Sequence, residues 1–406
     1  MKRLLLATDV RFWEQGAGSH MRIAAIYRHL VRIGIDVQVV FTTRLTPKDN
    51  QLIAANFPDM TVHCRPELMQ AMRAEQAQRA RGSLGTRLLR RLGLAAKPDP
   101  NAEKRPEDFV STAHQRYIGE LCATLRPDFL LVNYIRLAHL VDGLPREAPP
   151  VTLIDTIDVM HLRTQRYHAA GERHWINITR AEEAALLNRF DYVVAIQPRD
   201  AETLRTMTAP GRVITAMHPT APVWHEPHDE QPVRLFYLAT KGLPHQKAIA
   251  HFLGNVWPMV QERFGDNVRL CLGGSVCELY TGAPPPGVEL LGYVDDVDAA
   301  YAGSHIVINP VLFGGGLKIK CVEALAHAKP LVTTAVGAEG LEDGAGTAFL
   351  LAEDDAAFAA HLDRLIGDAL LRRQFAEAAY AYAQTHFTED AAFAELRAVL
   401  EREAAR

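Results

Sequence analysis

Cysteine is scarce in this sequence, and the positions of the few cysteines exclude the usual cysteine-based architectures. The chain has five of them, an odd number, widely spaced and without a C-x-x-C pair. A disulfide framework or a structural zinc site is therefore not expected, and a reducing cytoplasm is the simplest location. The cysteines are Cys64, Cys122, Cys271, Cys277 and Cys321.

Long apolar runs are also missing. No window approaches the roughly 18 consecutive apolar residues that indicate a membrane-spanning helix. The start of the chain, Met1–Arg3 followed by Leu4–Ala7, has some likeness to a signal peptide. Its apolar run is about four residues, whereas a secretory h-region needs roughly seven. We therefore expect a cytoplasmic protein without a leader.

Neither sign of charge is in large excess. The 44 Lys and Arg residues are nearly balanced by 48 Asp and Glu residues, for a formal net charge of -4. This balance gives no chain-wide electrostatic argument for a nucleic-acid partner. With 48% hydrophobic and 23% charged residues over 406 positions, the chain is typical of globular proteins and long enough for two or three domains.

Short apolar runs alternate with amphipathic stretches along the chain. Leu4–Thr8, Ser19–Gly34 and Val37–Phe41 predict a strand, a helix and a second strand, with a glycine loop before the helix. Such alternation favours α/β domains with mostly parallel sheets covered on both faces. Further strands are predicted at Phe129–Asn133, Val151–Ile154, Tyr192–Ile196, Leu235–Ala239, Arg269–Leu272, Val288–Leu290, Ile306–Asn309, Leu331–Thr334 and Ala348–Leu351. Further helices are predicted near Glu107–Leu125, Ile176–Asn188, Ala248–Phe264, Val297–Ala302, Lys320–Ala328, Asp355–Gly367 and Leu371–His386.

A proline-rich polar stretch separates the two halves of this pattern. Four prolines fall between Pro219 and Pro232, in a segment without hydrophobic periodicity, which is typical of an interdomain linker. We predict an N-terminal domain over 1–220, a linker over 221–231 and a C-terminal domain over 232–388. Two doubly wound domains are expected to offer a ligand cleft at the carboxyl ends of their strands.

One segment of the N-terminal half is strongly basic. Nine Arg and Lys residues lie between Arg73 and Arg105, against three acidic residues. Within it, residues 84–94 place leucines on one helical face and arginines on the other. We predict an insertion over about 67–106 with two interpretations. It binds an anionic membrane surface or a lipid-phosphate acceptor, or it is an exposed helix or loop that covers its own domain.

The most informative stretch is a triple-glycine loop between a predicted strand and a predicted helix, within Asn309–Ala326. Gly314–Gly316 allow backbone amides to approach an anion, and the helix N-terminus adds partial positive charge. Lys318 and Lys320 bring formal charge to the same turn, and the carboxylate of Glu323 can accept two hydrogen bonds from a ribose diol. Together these features predict a nucleoside-diphosphate site. The alternative is a glycine turn packed tightly against a neighbouring strand.

The run from Gly314 to Leu341 resembles the donor-binding signature of glycosyltransferase family four and its relatives, the glycosyltransferases group 1. The segments between Leu235 and Pro258 are similar to that family's first C-terminal strand and helix. Val288–Val294 is similar to the strand and loop whose backbone contacts the donor's base. The resemblance implies the GT-B fold, in which two Rossmann-like doubly wound domains face a central cleft. It also implies that a C-terminal helix, residues 389–406, crosses back onto the N-terminal domain.

The resemblance also implies roles for individual residues. Glu323 matches the second glutamate of the family's E-x7-E motif, the ribose ligand, and Gly316–Lys318 match the loop that holds the diphosphate. Lys241 matches the basic residue that neutralises the leaving diphosphate, with Lys247 as the competing candidate and an ordinary surface lysine as the alternative for either. The predicted donor site comprises Gly16, Gly18, Lys241, Gly292, Tyr293, Val294, Gly314, Gly315, Gly316, Leu317, Lys318, Lys320 and Glu323.

Two positions depart from the family pattern. Gly315 stands where the first glutamate of the motif would be, and Ile157 stands where relatives often have a histidine. Asp158 is retained, and His161 follows one helical turn later. We predict that Asp158, His161 and Lys318 contribute to catalysis. Asp158 contacts the sugar or the acceptor, or alternatively it caps the following helix.

By resemblance, the protein is expected to be a metal-independent, hexosyltransferase-type enzyme that uses a nucleotide-diphosphate sugar. The acceptor would be a hydroxyl of a glycan or a lipid-linked saccharide, and the anomeric configuration would be retained. No metal and no cofactor besides the donor are expected, because lysines and helix dipoles can meet the donor's charge. We expect a cytoplasmic protein that is peripheral on the inner face of the membrane if the basic segment binds lipid. Two alternatives remain: a catalytically silent nucleotide-sugar binding protein, and a non-hydrolysing nucleotide-sugar epimerase.

Overall fold

The computed structural model describes residues 1–14, 16–81 and 102–405. The described chain divides into two compact units. Unit 1 contains the residues up to Thr215 and those from Glu395 onward, and unit 2 contains Ala216–Ala394. The stretch predicted as a linker, 221–231, thus counts with unit 2. Residues 84–94, which carry the predicted amphipathic face of the basic insertion, lie outside the described residues.

Unit 1 is built on a seven-stranded sheet in which neighbouring strands pair in parallel, in the order β3-β2-β1-β4-β5-β6-β7. Its central strands are nearly continuous apolar runs, as expected for a parallel sheet covered on both faces. The strands are Arg3–Thr8 (β1), Asp36–Phe41 (β2), Thr61–His63 (β3), Phe129–Asn133 (β4), Val151–Asp155 (β5), Tyr192–Ala195 (β6) and Val213–Thr215 (β7).

Helices connect successive strands of unit 1, and several begin at reciprocal caps. Thr46, Ser111 and Thr179 each accept a hydrogen bond from the third residue of the helix that follows, and that residue's side chain returns to the cap. Such capping boxes satisfy amides that a helix start leaves unpaired. The helices are Gly18–Arg32 (α1), Pro47–Asn56 (α2), Glu67–Arg81 (α3), Thr112–Leu125 (α4), Met160–Ala169 (α5), Arg180–Leu187 (α6) and Pro198–Arg205 (α7).

Unit 2 contains a six-stranded parallel sheet in the order β10-β9-β8-β11-β12-β13. Its strands are Val233–Leu238 (β8), Val268–Gly273 (β9), Val288–Gly292 (β10), Ile306–Asn309 (β11), Leu331–Thr334 (β12) and Leu350–Ala352 (β13). Apolar side chains of this sheet pack against Phe252, Trp257 and Phe358 from the covering helices. The core therefore lies between the sheet and the helices, and the loops at the strand ends are left to carry function.

The covering helices of unit 2 follow the sequence prediction closely, with one interruption. The helix predicted near Ala248–Phe264 is divided by a π-helical turn, Phe252–Val256. Among the described residues, no helix has the length and apolar character needed to cross a membrane. The helices are Leu243–His251 (α8), Trp257–Phe264 (α9), Val297–Ala302 (α10), Ile319–Ala326 (α11), Asp355–Gly367 (α12), Ala369–His386 (α13), Glu389–Ala392 (α14) and Ala394–Ala404 (α15).

The last helix, α15, belongs to unit 1 from Glu395 onward. The Glu395 carboxylate accepts a hydrogen bond of 2.9 Å from the amide of Thr215, at the end of β7. The hydroxyl of Tyr192, at the start of β6, donates to Glu403. Apolar side chains of α15 are buried on the same unit, so this helix packs with the domain formed by Met1–Thr215. They are Leu396, Val399 and Leu400.

Candidate functional site

The triple-glycine loop of unit 2 joins the carboxyl end of β11 to the start of α11. Gly314 has φ +135° and Gly316 has φ +67°, a region that side-chain-bearing residues rarely adopt. A Cβ added at Gly314 would meet no atom within 4 Å. Backbone conformation therefore requires glycine at this position, and the alternative of tight packing against a neighbouring strand does not hold there.

Lys318 occupies the N-cap position of α11 and lies across the loop. Its Nζ donates to the carbonyl oxygens of Gly316 at 2.7 Å and Gly315 at 3.2 Å. The same ammonium lies 3.4 Å from a carboxylate oxygen of Glu339, which is buried. The positive charge predicted for this loop is thus held at the helix terminus, where the unpaired amides of the first turn also lie.

Glu323 is buried in the second turn of α11, with 3% of its surface exposed. One of its carboxylate oxygens, Oε2, accepts hydrogen bonds from the Tyr301 hydroxyl at 3.1 Å and from the Lys320 Nζ at 2.8 Å. Burial, and then the charge of Glu323, raises the pKa of Tyr301 well above its ordinary value. Tyr301 therefore stays protonated and fixes the carboxylate, while the partly exposed Lys320 can change partners.

A histidine that the motif analysis gave no role belongs to the same site. His245 lies in the first turn of α8, and its Nδ1 is 2.8 Å from the Tyr237 hydroxyl. Burial, followed by the charges of Lys318 and Lys320, lowers the pKa of His245 to about 4. The imidazole is therefore neutral at pH 7 and lies within electrostatic range of both lysines. In the sequence, it lies within the segments between Leu235 and Pro258 that resemble the family, seven residues after β8, where ligand-binding loops gather.

The two lysines that compete for the phosphate-neutralising role occupy different surroundings. Lys241 is exposed, its Nζ lies 2.7 Å from Glu278, and its amide donates to the Ser275 hydroxyl. The Lys247 ammonium lies 6.0 Å from the centre of the Phe313 ring, at the edge of the glycine loop. Of the two, Lys247 is therefore the one that the structure brings to the loop.

The segment predicted to contact the donor's base follows β10. Gly292 has φ +68°, and its carbonyl accepts a 2.7 Å hydrogen bond from the amide of Gly274. Tyr293 projects outward with 80% of its surface exposed. The Val294 side chain packs over Gly273, where an added Cβ would come within 2.8 Å of it. This turn is therefore fixed by backbone contacts and presents one aromatic ring to solvent.

In unit 1, the predicted N-terminal glycine loop leads into α1. Gly18 is the first residue of α1, and the N-cap residue, Ala17, offers no side chain to the first-turn amides. A Cβ added at Gly16 would make only an ordinary contact, 4.0 Å from the Glu14 carbonyl oxygen. The Nδ1 atom of His20 is buried without a partner among the described residues, and burial lowers its pKa. Within the described part of the chain, no side chain therefore caps the start of α1, and one ring nitrogen of His20 has no partner.

A fully buried ion pair ties α1 to the carboxyl end of β5. Arg22 and Asp155 are both 0% exposed, and the arginine Nε lies 3.0 Å from Oδ1 and 3.1 Å from Oδ2 of the aspartate. The side-chain amide of Asn133, at the end of β4, donates to the same carboxylate at 3.2 Å. Since these residues come from α1, β4 and β5, the ion pair holds these three elements together beside the N-terminal glycine loop.

The segment after β5 contains a strained residue next to the predicted catalytic aspartate. Ile157 has φ +61°, an outlier for a β-branched side chain, and such strain costs about 1–3 kcal/mol. Asp158 is buried and forms an ion pair with Arg163. The N-cap of α5 is Val159. The alternative in which Asp158 caps this helix is therefore wrong, because its carboxylate is directed to Arg163.

His161 lies in the first turn of α5, where a carboxylate from another helix provides the cap. Glu183, from α6, accepts 2.8 Å hydrogen bonds from the amides of Met160 and His161. The Nδ1 of His161 lies 2.6 Å from the same carboxylate, and both side chains are buried. The structure thus places His161 in the buried contact between Glu183 and the first turn of α5.

The structure brings together the predicted donor residues Lys318, Lys320 and Glu323, and it adds His245 to them. Asp158 and His161 lie in unit 1, each bound to a charged partner. Among the described residues, no group of three or more His, Cys, Asp and Glu side chains is placed to hold a metal ion.

Comparison with known proteins supports the assignment of the C-terminal half. Residues 233–368 match the family model of glycosyl transferases group 1, as the resemblance of the glycine loop predicts. An uncharacterized 44.6 kDa protein in the cps region of Klebsiella pneumoniae is 23% identical over 197 residues. That match covers 45% of this chain and 49% of the relative, so the chain spans about half the length of the curated relative it matches.

Two solved structures have a similar fold over the whole chain. Sucrose-phosphate synthase from Thermosynechococcus elongatus is 15% identical, with a TM-score of 0.70 and 100% coverage of both chains. HepE from Anabaena, in complex with UDP and glucose, is also 15% identical, with a TM-score of 0.65, covering 99% of this chain and 100% of that one. The likeness confirms the predicted GT-B fold class. Together, the family match and the fold support a glycosyltransferase of the GT-B type.

Proposed function

We propose that the protein transfers a sugar from a nucleotide-diphosphate sugar to a hydroxyl of a glycan or lipid-linked acceptor, with retention and without a metal. The observation that carries the proposal is the group formed by Lys318, Lys320, Glu323 and His245 beside the glycine loop. It combines a carboxylate suited to a ribose diol with positive charge and a helix terminus suited to a diphosphate.

Binding of the donor would use each of these parts. The amides of Gly314–Gly316 and of the first turn of α11 would hold the diphosphate, with Lys318 exchanging its loop carbonyls for phosphate oxygens. Lys320 would move from Glu323 to the phosphate, which frees the carboxylate for the ribose. The similar fold of HepE, whose structure contains UDP and glucose, supports UDP as the first nucleotide to test.

The chemical step needs mainly charge stabilisation from the protein. In a retaining transfer, the bond from the anomeric carbon to the phosphate oxygen breaks while the acceptor oxygen bonds to the same face of the sugar. The acceptor's hydroxyl proton moves to the departing phosphate oxygen, so no protein base is required. Loop amides, the α11 terminus and Lys318 would stabilise the charge that develops on the diphosphate.

A catalytically silent binding protein is the second candidate, and specific observations favour it. Gly315 removes the carboxylate that relatives place beside the transferred sugar, and the residue at the family's histidine position is Ile157. In addition, Asp158 and His161 are buried in contacts with Arg163 and Glu183. None of these contacts touches the glycine loop of unit 2, so donor binding alone would not separate the two candidates.

A screen of nucleotides followed by a release assay separates them. Thermal unfolding is measured with UDP, GDP, ADP, CMP, TDP and their common sugars. A ligand at 100 times its dissociation constant stabilises the protein by about 2.7 kcal/mol, which raises the melting temperature by several degrees. The nucleotide sugar that binds is then incubated with and without saccharide acceptors. Acceptor-dependent release of nucleoside diphosphate supports the transferase, and binding without release supports the silent protein. A panel in which nothing binds contradicts both.

A further inference from the structure

A tryptophan lies partly exposed at the carboxyl end of β4 in unit 1. Trp175 has 37% of its surface exposed. Its ring meets Phe109 and Tyr134 edge-to-face, with centroid distances of 5.7 Å and 6.3 Å. Edge-to-face contacts on two sides orient an aromatic ring. The indole is therefore a fixed surface at the end of the sheet where the sites of this fold gather.

An ion pair borders this ring. The Arg136 guanidinium lies 4.9 Å from the centre of the Trp175 ring and 4.1 Å from that of Tyr134. Its Nε donates to Asp9 at 2.7 Å, and a second bond joins the same two side chains. The guanidinium thus lies over one face of the indole, its charge is compensated by a carboxylate, and Arg136 and Asp9 keep 12% and 16% of their side-chain surface exposed.

The indole N–H of Trp175 has no acceptor among the described residues. The other three tryptophans all have one: Trp13 donates to Asp49 at 2.8 Å, Trp224 to Glu226 at 3.1 Å and Trp257 to the Pro286 carbonyl at 3.0 Å. Tryptophans in a protein usually pair this group when it is shielded from water. The unpaired donor at Trp175 is therefore available to a ligand.

Backbone strain marks the same place. Tyr134 follows the last residue of β4 and has φ +65°, a conformation that is uncommon for a bulky side chain. Strain of this kind persists only where surrounding contacts impose it, and it concentrates at functional sites. Tyr134 contacts both Arg136 and Trp175, so the strained residue supports the surface from beneath.

We propose that Trp175, together with the Asp9–Arg136 ion pair, binds a pyranose ring of the acceptor saccharide. The C–H face of the sugar would stack on the indole, and its hydroxyls would pair with the indole N–H and the edges of the ion pair. This inference rests on the proposed function and names the chemical class that unit 1 recognises. A phosphate would need an uncompensated cation, whereas Asp9 neutralises Arg136. A lipid chain would cover the indole N–H without offering an acceptor and would remove water from the ion pair.

The test compares Trp175→Ala and Trp175→Phe with Trp224→Ala. Trp224 is a matched control, since it is also 37% exposed but lies in unit 2 with its N–H bonded. Release of nucleoside diphosphate is measured against increasing acceptor glycoside. We expect Trp175→Ala to raise the acceptor KM at least tenfold, with the dissociation constant of the nucleotide within twofold of the parent value. Trp175→Phe should recover part of the loss because it keeps the stacking face.

A binding measurement tests saccharide recognition by Trp175 independently of glycosyl transfer. Indole emission is titrated with methyl α-glucoside, methyl α-galactoside and methyl α-mannoside, and separately with inorganic phosphate. Saccharide-dependent quenching in the parent and in Trp224→Ala, and its loss in Trp175→Ala, supports the proposal even if no turnover occurs. Absence of quenching by every saccharide, quenching by phosphate alone, or an unchanged acceptor KM in Trp175→Ala overturns it. Absence of nucleotide binding instead contradicts the proposed function.

Discussion

The two units place positive charge at the same edge of similar sheets, but they hold it in different ways. In unit 1 the cations are arginines paired with aspartates, through two guanidinium nitrogens at Arg22 and Arg136 and through one at Arg163. In unit 2 they are lysines, each with one ammonium group that shares several acceptors. Lys318 contacts two loop carbonyls and Glu339, and Lys320 contacts both carboxylate oxygens of Glu323. The arginine pairs of unit 1 are Arg22–Asp155, Arg136–Asp9 and Arg163–Asp158.

The arginines of unit 1 and the lysines of unit 2 suit two kinds of ligand on similar sheets, one neutral and one anionic. A guanidinium in a two-pronged contact is fixed in orientation, whereas an ammonium is a point charge on a flexible stem. The Arg22–Asp155 and Arg136–Asp9 pairs are therefore suited to a rigid frame around a neutral ligand. The lysines of the glycine loop are suited to exchange one oxygen partner for another when a diphosphate arrives.

The largest expected effect comes from opening the most buried pair of unit 1. Arg22→Leu leaves the Asp155 carboxylate buried without a counter-charge, which should lower the free energy of unfolding by about 3–5 kcal/mol. Arg263→Leu, which removes a surface partner of Asp363 in unit 2, should cost no more than about 1 kcal/mol. Urea unfolding followed by tryptophan fluorescence measures both. Equal losses of unfolding free energy would show that the buried Arg22–Asp155 pair stabilises the protein no more than the surface pair does.

The next effect tests whether the carboxylate of the lysine site binds ribose. Glu323→Ala should weaken binding of the nucleotide that the screen identifies by about 1.5–3 kcal/mol, or roughly 10- to 150-fold. Titration calorimetry measures the affinity. Glu226→Ala, which removes an exposed carboxylate paired with Arg373, is the control and should leave it unchanged. Glu323→Gln retains an acceptor for Tyr301 and separates loss of binding from loss of folding. Unchanged affinity in both Glu323 variants contradicts the ribose assignment.

The smallest expected effect is a pH dependence of donor affinity. It tests whether a bound diphosphate offsets the charges of the unit 2 lysines. In the free protein, burial and then Lys318 and Lys320 hold the pKa of His245 at about 4. A bound diphosphate offsets the lysine charges, so the pKa of His245 rises in the complex. The complex then binds a proton more readily than the free protein, and affinity for UDP-glucose should increase as pH falls from 7 towards 5. We expect an increase of less than about tenfold.

The control for this pH dependence is His245→Asn. Asparagine keeps a hydrogen-bonding group beside Tyr237 but does not titrate. UDP-glucose is the ligand of choice because its diphosphate has no proton to gain in this range. Calorimetry at several pH values should show a flatter profile for the variant. Identical profiles for the variant and the parent would mean that the lysine charges do not reach His245.

Much of the fold follows from local sequence, and the exceptions have physical causes. Strands β4, β11 and β12 match their predictions to the residue because they are short apolar runs with clear borders. Helix α5 entered the prediction only through the alternative that Asp158 caps a following helix, because its sequence is polar and its cap comes from Glu183, 23 positions beyond Met160. The edge strand β3 is three residues long, too short for alternation to be recognised.

The residues of the candidate sites also differ in whether local sequence could predict them. Lys318, Lys320 and Glu323 could be predicted because a single loop and helix turn contain all of them. His245 acquires its neutral state from lysines more than 70 positions away, which no local pattern reveals. The surface around Trp175 depends on Arg136 and Asp9, the latter 127 positions from its partner arginine. Long-range contacts of this kind become visible only when the sheet orders the strand ends.

The return of α15 to unit 1 has a consequence for the order in which the protein matures during synthesis. The ribosome completes every residue of unit 2 before it releases those that pair with Thr215 and Tyr192. Unit 2 can therefore fold while the chain is still growing, whereas unit 1 keeps an uncovered edge until the residues of α15 have emerged. A chain interrupted before Glu395 would lack these contacts of unit 1 but contain every residue of unit 2.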